Sequence, residues 1–178
     1  MYHEVLDFWF DELSDEQKWV KDPKVDHEIE KRFGRLHTMA AKGELFEWRH
    51  EHLGRLAEII LLDQFSRNIY RDDPRSFASD DMALVLAQEA VAQKTHEGFT
   101  QRKKHFLYMP FMHSESLVVQ KEGLKYFEEL GSEQALNYMH QHMAIIERFG
   151  RYPHRNKVLG RRSTDEEKKF LKTPGSSF

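Results

Sequence analysis

The chain has 178 residues with 27 basic and 30 acidic side chains, a formal net charge of −3 and no cysteine. This composition predicts one globular domain, residues 1–178, without disulfides, thiol nucleophiles or thiolate-rich zinc sites. An acidic chain lacks the overall charge of a nucleic-acid or anionic-membrane binder, which disfavours both partners.

Helical periodicity runs through the first half of the chain. A short first helix with a broad apolar face is predicted at residues 5–10. Asp22 and Pro23 open a second helix, since an aspartate N-cap and a proline in the first turn both suit a helix start. A third helix, residues 51–65, is apolar on every side near its C-terminal end, so we expect it to be central. An irregular loop, residues 66–77, should follow it.

The next segment predicts a fourth helix at residues 79–94 and a short helix at residues 103–108. Pro110 predicts a kink or break, because a proline inside a helix removes one backbone hydrogen bond. Ser114 is then the expected N-cap of a helix that ends near residue 130.

The last long helix should end at Phe149, with Gly150 in the left-handed conformation that commonly terminates helices. Residues 150–162 are predicted to form an irregular, ordered loop. A final short helix should begin with a capping box, for which the sequence offers two pairs: Ser163 with Glu166, or Thr164 with Glu167. No strand is predicted, so the fold class is all-α, built from antiparallel helix pairs.

A carboxylate at the end of the central helix is the first candidate for chemistry. Asp63 opposes the helix dipole and would be costly to bury alone, so it needs a cationic or hydrogen-bonding partner. Arg67, or an arginine from the C-terminal loop, could supply it. A purely structural ion pair is the alternative interpretation. Asn68 belongs to the same polar segment.

A histidine and a carboxylate follow Pro110. His113 could act as a general base or a metal ligand, with Glu115 as the group that orients it. The alternative is structural: Ser114 caps a helix, Glu115 suits its dipole and His113 packs at the edge of the core. Tyr108 lies in the same segment.

The most unusual segment, residues 148–164, has a formal charge of +6 and no acid, so the remaining residues carry −9. Arginine forks suit phosphate or carboxylate. These arginines could pair with internal acids such as Asp63, or they could stay free as an anion site. His154 and Asn156 add hydrogen-bonding groups to the same segment.

Metal and cofactor motifs are missing from the sequence. His140 and His142 are two residues apart on a predicted helix and point away from each other, and His50 and His52 share this spacing. No phosphate-binding loop, nucleophile elbow or zinc-binding helix motif occurs. We therefore predict no metal and no cofactor.

Three motifs give the chain a family resemblance. They are Leu62-Asp63-Gln64-Phe65-Ser66-Arg67-Asn68-Ile69-Tyr70-Arg71, then Phe106-Leu107-Tyr108-Met109-Pro110-Phe111-Met112-His113-Ser114-Glu115, and finally Arg148-Phe149-Gly150-Arg151-Tyr152-Pro153-His154-Arg155-Asn156 with the closing Pro174-Gly175-Ser176-Ser177-Phe178. The chain resembles the bacterial family called domain of unknown function 924. Ser66 stands where this family more usually has proline. The resemblance implies a right-handed, TPR-like α–α superhelix and no established reaction.

The favoured functional prediction is a binding module. An Arg/His-rich polar pocket would take an anionic small molecule or an acidic peptide, since stacked helix pairs leave a concave face. The predicted ligand-binding residues are Asp63, Arg67, Asn68, Tyr108, His113, Arg148, Arg151, His154, Arg155 and Asn156.

The alternative is an enzyme with hydrolase-type acid–base chemistry on a small phosphate- or carboxylate-bearing substrate. His113 or His154 would be its acid–base group and Glu115 or Asp63 the orienting carboxylate. The apolar first helix is also compatible with a homo-oligomer. The N-terminus lacks a signal-peptide pattern, which predicts a cytoplasmic location.

Overall fold

The computed structural model describes residues 1–177, and this part of the chain contains helices and turns but no β-strand. The α-helices are α1 (Tyr2–Asp7), α2 (Asp15–Trp19), α3 (Pro23–Ala41), α4 (His52–Ile60), α5 (Ser66–Ile69), α6 (Asp80–Ala92), α7 (Gln101–His113), α8 (Leu117–Glu129), α9 (Glu133–Phe149) and α10 (Asp165–Phe170). Shorter helical turns are the 3₁₀ segments Phe46–His50, Pro74–Ser76 and Pro153–Arg155 and the π-helical segments Phe8–Glu12 and Leu61–Phe65. The all-α prediction is confirmed.

The predicted central helix is the core of the molecule. α4, the π-helical turn Leu61–Phe65 and α5 follow one another without a break. Ile59, Ile60, Leu61 and Leu62 are all fully buried, so this stretch packs on every side. The helical backbone continues beyond residue 65 into what the sequence predicted as a loop.

The other helices pack around this centre in chain order. α1 packs against α4, and α3 packs against the π-helical turn and α5. α6, α7, α8 and α9 then pack as successive neighbours, as the predicted antiparallel pairs require. The right-handed superhelical arrangement stays a prediction. No helix in the described range is both long and apolar enough to cross a membrane.

The prediction of a break at Pro110 is wrong. Pro110 lies inside α7, and every residue from Phe106 to His113 is buried. Burial of this apolar stretch outweighs the loss of one backbone hydrogen bond. Ser116, and not Ser114, is the N-cap residue of α8. The continuous helix has a functional consequence, because it carries His113 directly to the polar site.

The two short helices α2 and α10 both begin with a capping box. α2 was not predicted from the sequence; it begins with a capping box between Ser14 and Gln17. Of the two capping boxes predicted for α10, the structure forms the one between Thr164 and Glu167. Phe178, the last residue of the closing motif, lies outside the described residues.

The C-terminal loop begins at the predicted place. Gly150 ends α9 with a φ of 68°, in the left-handed region that favours glycine. The chain then reverses, and the 3₁₀ turn Pro153–Arg155 lies over the end of α7. This reversal brings the basic segment against the polar end of the central helix.

Candidate functional site

A buried Asp–His pair is the centre of the polar site. Asp63 is fully buried in the π-helical turn, and His113, the last residue of α7, is 8% exposed. Nδ1 of His113 lies 2.6 Å from Oδ1 of Asp63. Gln64 donates from Nε2 to the other carboxylate oxygen at 2.5 Å. π-helical turns inside α-helices occur frequently at functional sites, which makes the location of Asp63 notable.

Arg67 joins this pair to a second carboxylate. Its Nη1 lies 3.2 Å from Oδ1 of Asp63 and donates to the Asp63 carbonyl oxygen at 2.7 Å. The same guanidinium makes two hydrogen bonds of 2.9 Å to Asp80, the first residue of α6. The predicted need of Asp63 for a cationic partner is therefore met by Arg67 and not by the C-terminal loop.

The C-terminal loop contributes Arg155. This side chain is 7% exposed; it donates to the carbonyl oxygen of His113 at 2.9 Å and to Asp80 at 3.2 Å. Its guanidinium also lies over the rings of Phe77 and Tyr152, at 4.5 and 4.6 Å from their centroids. Arg155 thus closes one side of the Asp63–His113 pair and holds the loop in place.

A separate set of contacts fixes the loop. Glu115 accepts a hydrogen bond from the backbone N–H of Tyr152 at 2.7 Å. It also accepts two hydrogen bonds from the guanidinium of Arg161, at 2.6 and 2.9 Å. Tyr152 donates its hydroxyl to the carbonyl oxygen of Met112 and accepts from Gln120. Glu115 therefore anchors the loop, and the carboxylate that orients His113 is Asp63.

The charges at the site follow from burial. Burial raises the pKa of Asp63, but interactions with His113 and Arg67 outweigh it, and the net pKa lies below its usual range. Burial and the positive charge of Arg67 lower the pKa of His113. The negative charge of Asp63 raises this pKa but compensates for only part of the decrease. At neutral pH the site therefore holds a carboxylate and a neutral imidazole, whose Nδ1–H donates to Asp63.

The second ring nitrogen of His113, Nε2, has no hydrogen-bond partner among the described residues. Nε2 is also not among the fully buried polar atoms that lack a partner. The side chain keeps 10% of its surface exposed. Because Asp63 holds the proton on Nδ1, Nε2 presents a lone pair to solvent.

Two more histidines, His142 and His154, lie near His113. The ring of His142 is centred 6.4 Å from His113, and Tyr152 lies between His142 and His154, at 5.7 and 5.5 Å. Burial lowers the pKa of His142 to about 3 and that of His154 to about 4, with help from nearby positive groups. Both rings are neutral at physiological pH, so the permanent positive charges at the site come from arginine.

The arginines of residues 148–164 are mostly paired with acids, which is the first of the two alternatives that the sequence left open. Four of them form ion pairs: Arg148 with Glu166, Arg151 with Glu167, Arg155 with Asp80 and Arg161 with Glu115. The two other cations of the segment, Lys157 and Arg162, are exposed. The segment contains no acid of its own, but the fold brings acids to it from α6, α10 and the link between α7 and α8.

Several predicted site residues lie outside the Asp63–His113 cluster. Asn68 donates to Asp26 at 2.8 Å, and Tyr108 stacks on Tyr126 with ring centroids 5.4 Å apart. Arg148 and Arg151 pair with residues of α10, as described above. Asn156 is fully buried and holds the loop by accepting from Arg161 and donating to Ser163. The structure brings together Asp63, Arg67, His113 and Arg155, with His154 beside them.

Sequence reasoning missed Asp80, the carboxylate shared by Arg67 and Arg155. An acid in the first turn of a helix is common because it suits the helix dipole, so its sequence context carried no distinguishing signal. Within residues 1–177, no group of three or more histidine and acidic side chains has the arrangement of a metal site.

Comparisons with known proteins agree with the fold. The profile of a family described as "Bacterial protein of unknown function (DUF924)" matches residues 5–175. A solved structure, a protein of unknown function (ATU0120) from Agrobacterium tumefaciens, superposes with a TM-score of 0.91 at 33% identity and covers 96% of each chain. No curated protein matches the chain.

Proposed function

The chain belongs to the bacterial DUF924 family, and from its polar site we propose that it binds a small oxyanion, a phosphate or a carboxylate, at His113. The observation that carries the proposal is the outward-facing Nε2 of a histidine whose other nitrogen is fixed by a buried carboxylate. Arg67 and Arg155 flank that histidine.

Charge balance explains how such a site would hold an anion. With His113 neutral, the two carboxylates Asp63 and Asp80 balance the two guanidinium groups of Arg67 and Arg155. A proton on Nε2 gives the cluster one net positive charge in a poorly solvated place. A bound oxyanion would accept that proton in a charge-assisted hydrogen bond and neutralise the charge.

Anion binding and proton uptake are therefore linked. Because the pKa of the free His113 is lowered, the anion must draw a proton from solvent, and binding should strengthen as the pH falls. The small exposed area of the ring favours a small ligand over a long acidic peptide, since only one nitrogen and its immediate neighbours can be reached.

Calorimetric titration with sulfate and with acetate tests the proposal, because both anions keep one charge state between about pH 6 and pH 8. At constant ionic strength we expect clearly tighter binding at the lower pH. His113→Gln should remove this pH dependence and weaken binding about tenfold at about pH 6, as expected for the loss of one charged hydrogen bond. His140→Gln changes an exposed histidine of α9 and should leave binding unchanged. Equal pH dependence in wild type and His113→Gln would refute the proposal.

A second candidate is acid–base catalysis at the same site. The observation that favours it is the 2.6 Å contact of His113 with Asp63, since a carboxylate that fixes the imidazole tautomer makes Nε2 a better base. His113 would then take a proton from water or from a substrate hydroxyl group. Hydrolysis of p-nitrophenyl phosphate and p-nitrophenyl acetate provides the assay. Turnover that His113→Gln abolishes and His140→Gln preserves would support it, whereas no turnover above that of His113→Gln would count against it.

A further inference from the structure

The side-chain amide of Gln64, beside the Asp63–His113 pair, has only one of its two polar atoms engaged. Gln64 lies next to Asp63 in the π-helical turn and is 6% exposed. Its Nε2 donates to Oδ2 of Asp63 at 2.5 Å and lies 3.5 Å from Sδ of Met109. Its Oε1 forms no hydrogen bond with a described residue and is not among the fully buried polar atoms that lack a partner. A molecule from outside can therefore reach Oε1.

The orientation of this amide follows from the charge of its neighbour. Asp63 is ionised, because its pKa lies below the usual range as described above, and a carboxylate only accepts hydrogen bonds. The NH2 group of Gln64 must therefore face Asp63, and the carbonyl oxygen must point away from it. The arginines of the cluster are engaged elsewhere, since Arg67 and Arg155 donate from their Nη atoms to Asp80 and to backbone oxygens. The fold thus leaves a hydrogen-bond acceptor here without a donor.

Two contacts place this acceptor close to the open nitrogen of His113. His113 binds Oδ1 of Asp63 and Gln64 binds Oδ2, so one carboxylate holds both groups. Met109, which the Gln64 amide contacts, lies one turn before His113 on the same face of α7. A helical turn rises about 5.4 Å, a span that a molecule of a few heavy atoms can bridge.

The two open atoms require different groups on a ligand. Protonated His113 donates from Nε2, which suits an oxyanion, whereas Oε1 of Gln64 accepts and needs a donor. An oxyanion without a hydroxyl group would leave Oε1 unpaired and bring two electronegative oxygens together. A ligand that carries both groups satisfies both atoms. Sites that bind a hydroxyl group in this way discriminate against analogues that lack it.

We propose that the His113 site takes a small 2-hydroxycarboxylate, whose carboxylate binds His113 and whose hydroxyl group donates to Oε1 of Gln64. The proposal rests on the oxyanion site proposed above and selects the carboxylate from the two groups named there. A phosphate monoester loses its last hydroxyl group near a pH of about 6, so its phosphate group has no donor at neutral pH. A 2-hydroxycarboxylate keeps its hydroxyl group throughout the neutral range.

Glycolate and acetate test this assignment, because they differ by one hydroxyl group and both are anions at about pH 6. In calorimetric titration of wild type at this pH, glycolate should bind about fivefold more tightly than acetate, as expected for one hydrogen bond between uncharged groups. Methoxyacetate keeps the oxygen atom but cannot donate, so it should bind no more tightly than acetate. Gln64→Met removes the acceptor and should reduce the preference for glycolate to below about twofold.

Gln88→Met, at an exposed glutamine of α6, is the matched control and should keep the wild-type preference for glycolate. A merely structural role of Gln64 would weaken both ligands equally, and an unchanged preference in Gln64→Met would overturn the inference. The comparison of ligands needs only wild type, so it stays decisive if Gln64→Met folds poorly.

The outcomes also separate this inference from the proposal on which it rests. Equal affinities for acetate and glycolate, equal affinities for methoxyacetate and glycolate, or binding of sulfate alone would overturn the hydroxycarboxylate assignment and leave the oxyanion site intact. If sulfate, acetate and glycolate all fail to bind wild type, both proposals are overturned.

Discussion

Arg155 and Arg55 are buried to the same extent, but their surroundings are opposite. Arg155 comes from the segment with the highest positive charge in the chain, yet it shares Asp80 with Arg67 and reaches the backbone of His113. Arg55 comes from the buried central helix α4 and has only two long hydrogen bonds, both to neutral groups. Local charge density in a sequence is therefore a poor guide to available charge, because the fold decides which acids arrive.

The largest effect on stability is expected in the paired region, which is the cluster of Asp63, Arg67, Asp80, His113 and Arg155. Asp63→Asn removes the carboxylate that balances Arg67 and His113 at a fully buried position. Breaking a buried charge pair from one side should lower the free energy of unfolding by about 3–5 kcal/mol, measured by urea denaturation.

The control is Arg148→Ala, which breaks a pair whose two side chains are 52% and 63% exposed. Exposed pairs contribute little, so the expected loss is below about 1 kcal/mol. Equal losses in the two variants would mean that the Asp63 network is not the stabilising structure described above.

A smaller effect on stability is expected in the unpaired region, which is the part of α4 around Arg55. Gly54→Ala places a Cβ 2.2 Å from the carbonyl oxygen of Trp48, so the turn before α4 must move. We expect a loss of about 1–3 kcal/mol in the free energy of unfolding. Gly34→Ala is the matched control within α3, where the added Cβ would have its nearest neighbour 3.9 Å away. That change should stabilise the protein by about 0.5–1 kcal/mol, since alanine favours the helix more than glycine does. Loss of stability in the control, or none in Gly54→Ala, would contradict the close approach.

The smallest expected effect is a pH dependence of the free energy of unfolding that comes from His142, beside the paired region. The pKa of His142 is lowered to about 3 in the folded protein, while the unfolded chain takes up this proton near its ordinary pKa of about 6.5. The unfolded state therefore binds more protons, and stability is lost as the pH falls from about 6.5 towards 3. At about pH 5.5 this histidine should cost about 1 kcal/mol relative to neutral pH.

His142→Gln should flatten the pH dependence of the free energy of unfolding by that amount, measured in urea at several pH values. His140→Gln, at an exposed position on the same helix, should keep the wild-type slope. Part of the slope should remain in His142→Gln, because the pKa of His154 is also lowered; a slope unchanged from wild type would show that His142 does not contribute.

Much of the paired region could be predicted from the sequence, because the partners and turns that it needs are close together along the chain. The need of Asp63 for a cation, the role of Arg67 and the reversal after Gly150 all follow from helix position and burial. Asp80 could not be predicted, because an acid at a helix start looks the same with or without two arginines around it.

The unpaired region could not be predicted from the sequence at all. The sequence places Arg55 three residues before Glu58, a spacing that suggests a pair along one helix. In the structure Arg49 occupies that carboxylate from the preceding turn, which is a tertiary contact. The same limit explains Pro110, where burial of the surrounding helix decides the outcome over local propensity.

The protonation state of His113 most directly tests whether this site binds an oxyanion. Imidazole nitrogen and carbon resonances, recorded by NMR through a pH titration with and without sulfate, report the tautomer and the pKa together. We expect a neutral ring with its proton on Nδ1 at neutral pH, a pKa of His113 below about 6.5, and a rise in that pKa when sulfate binds. A ring that is already charged at neutral pH, or whose pKa does not change with saturating sulfate, would contradict oxyanion binding at this site.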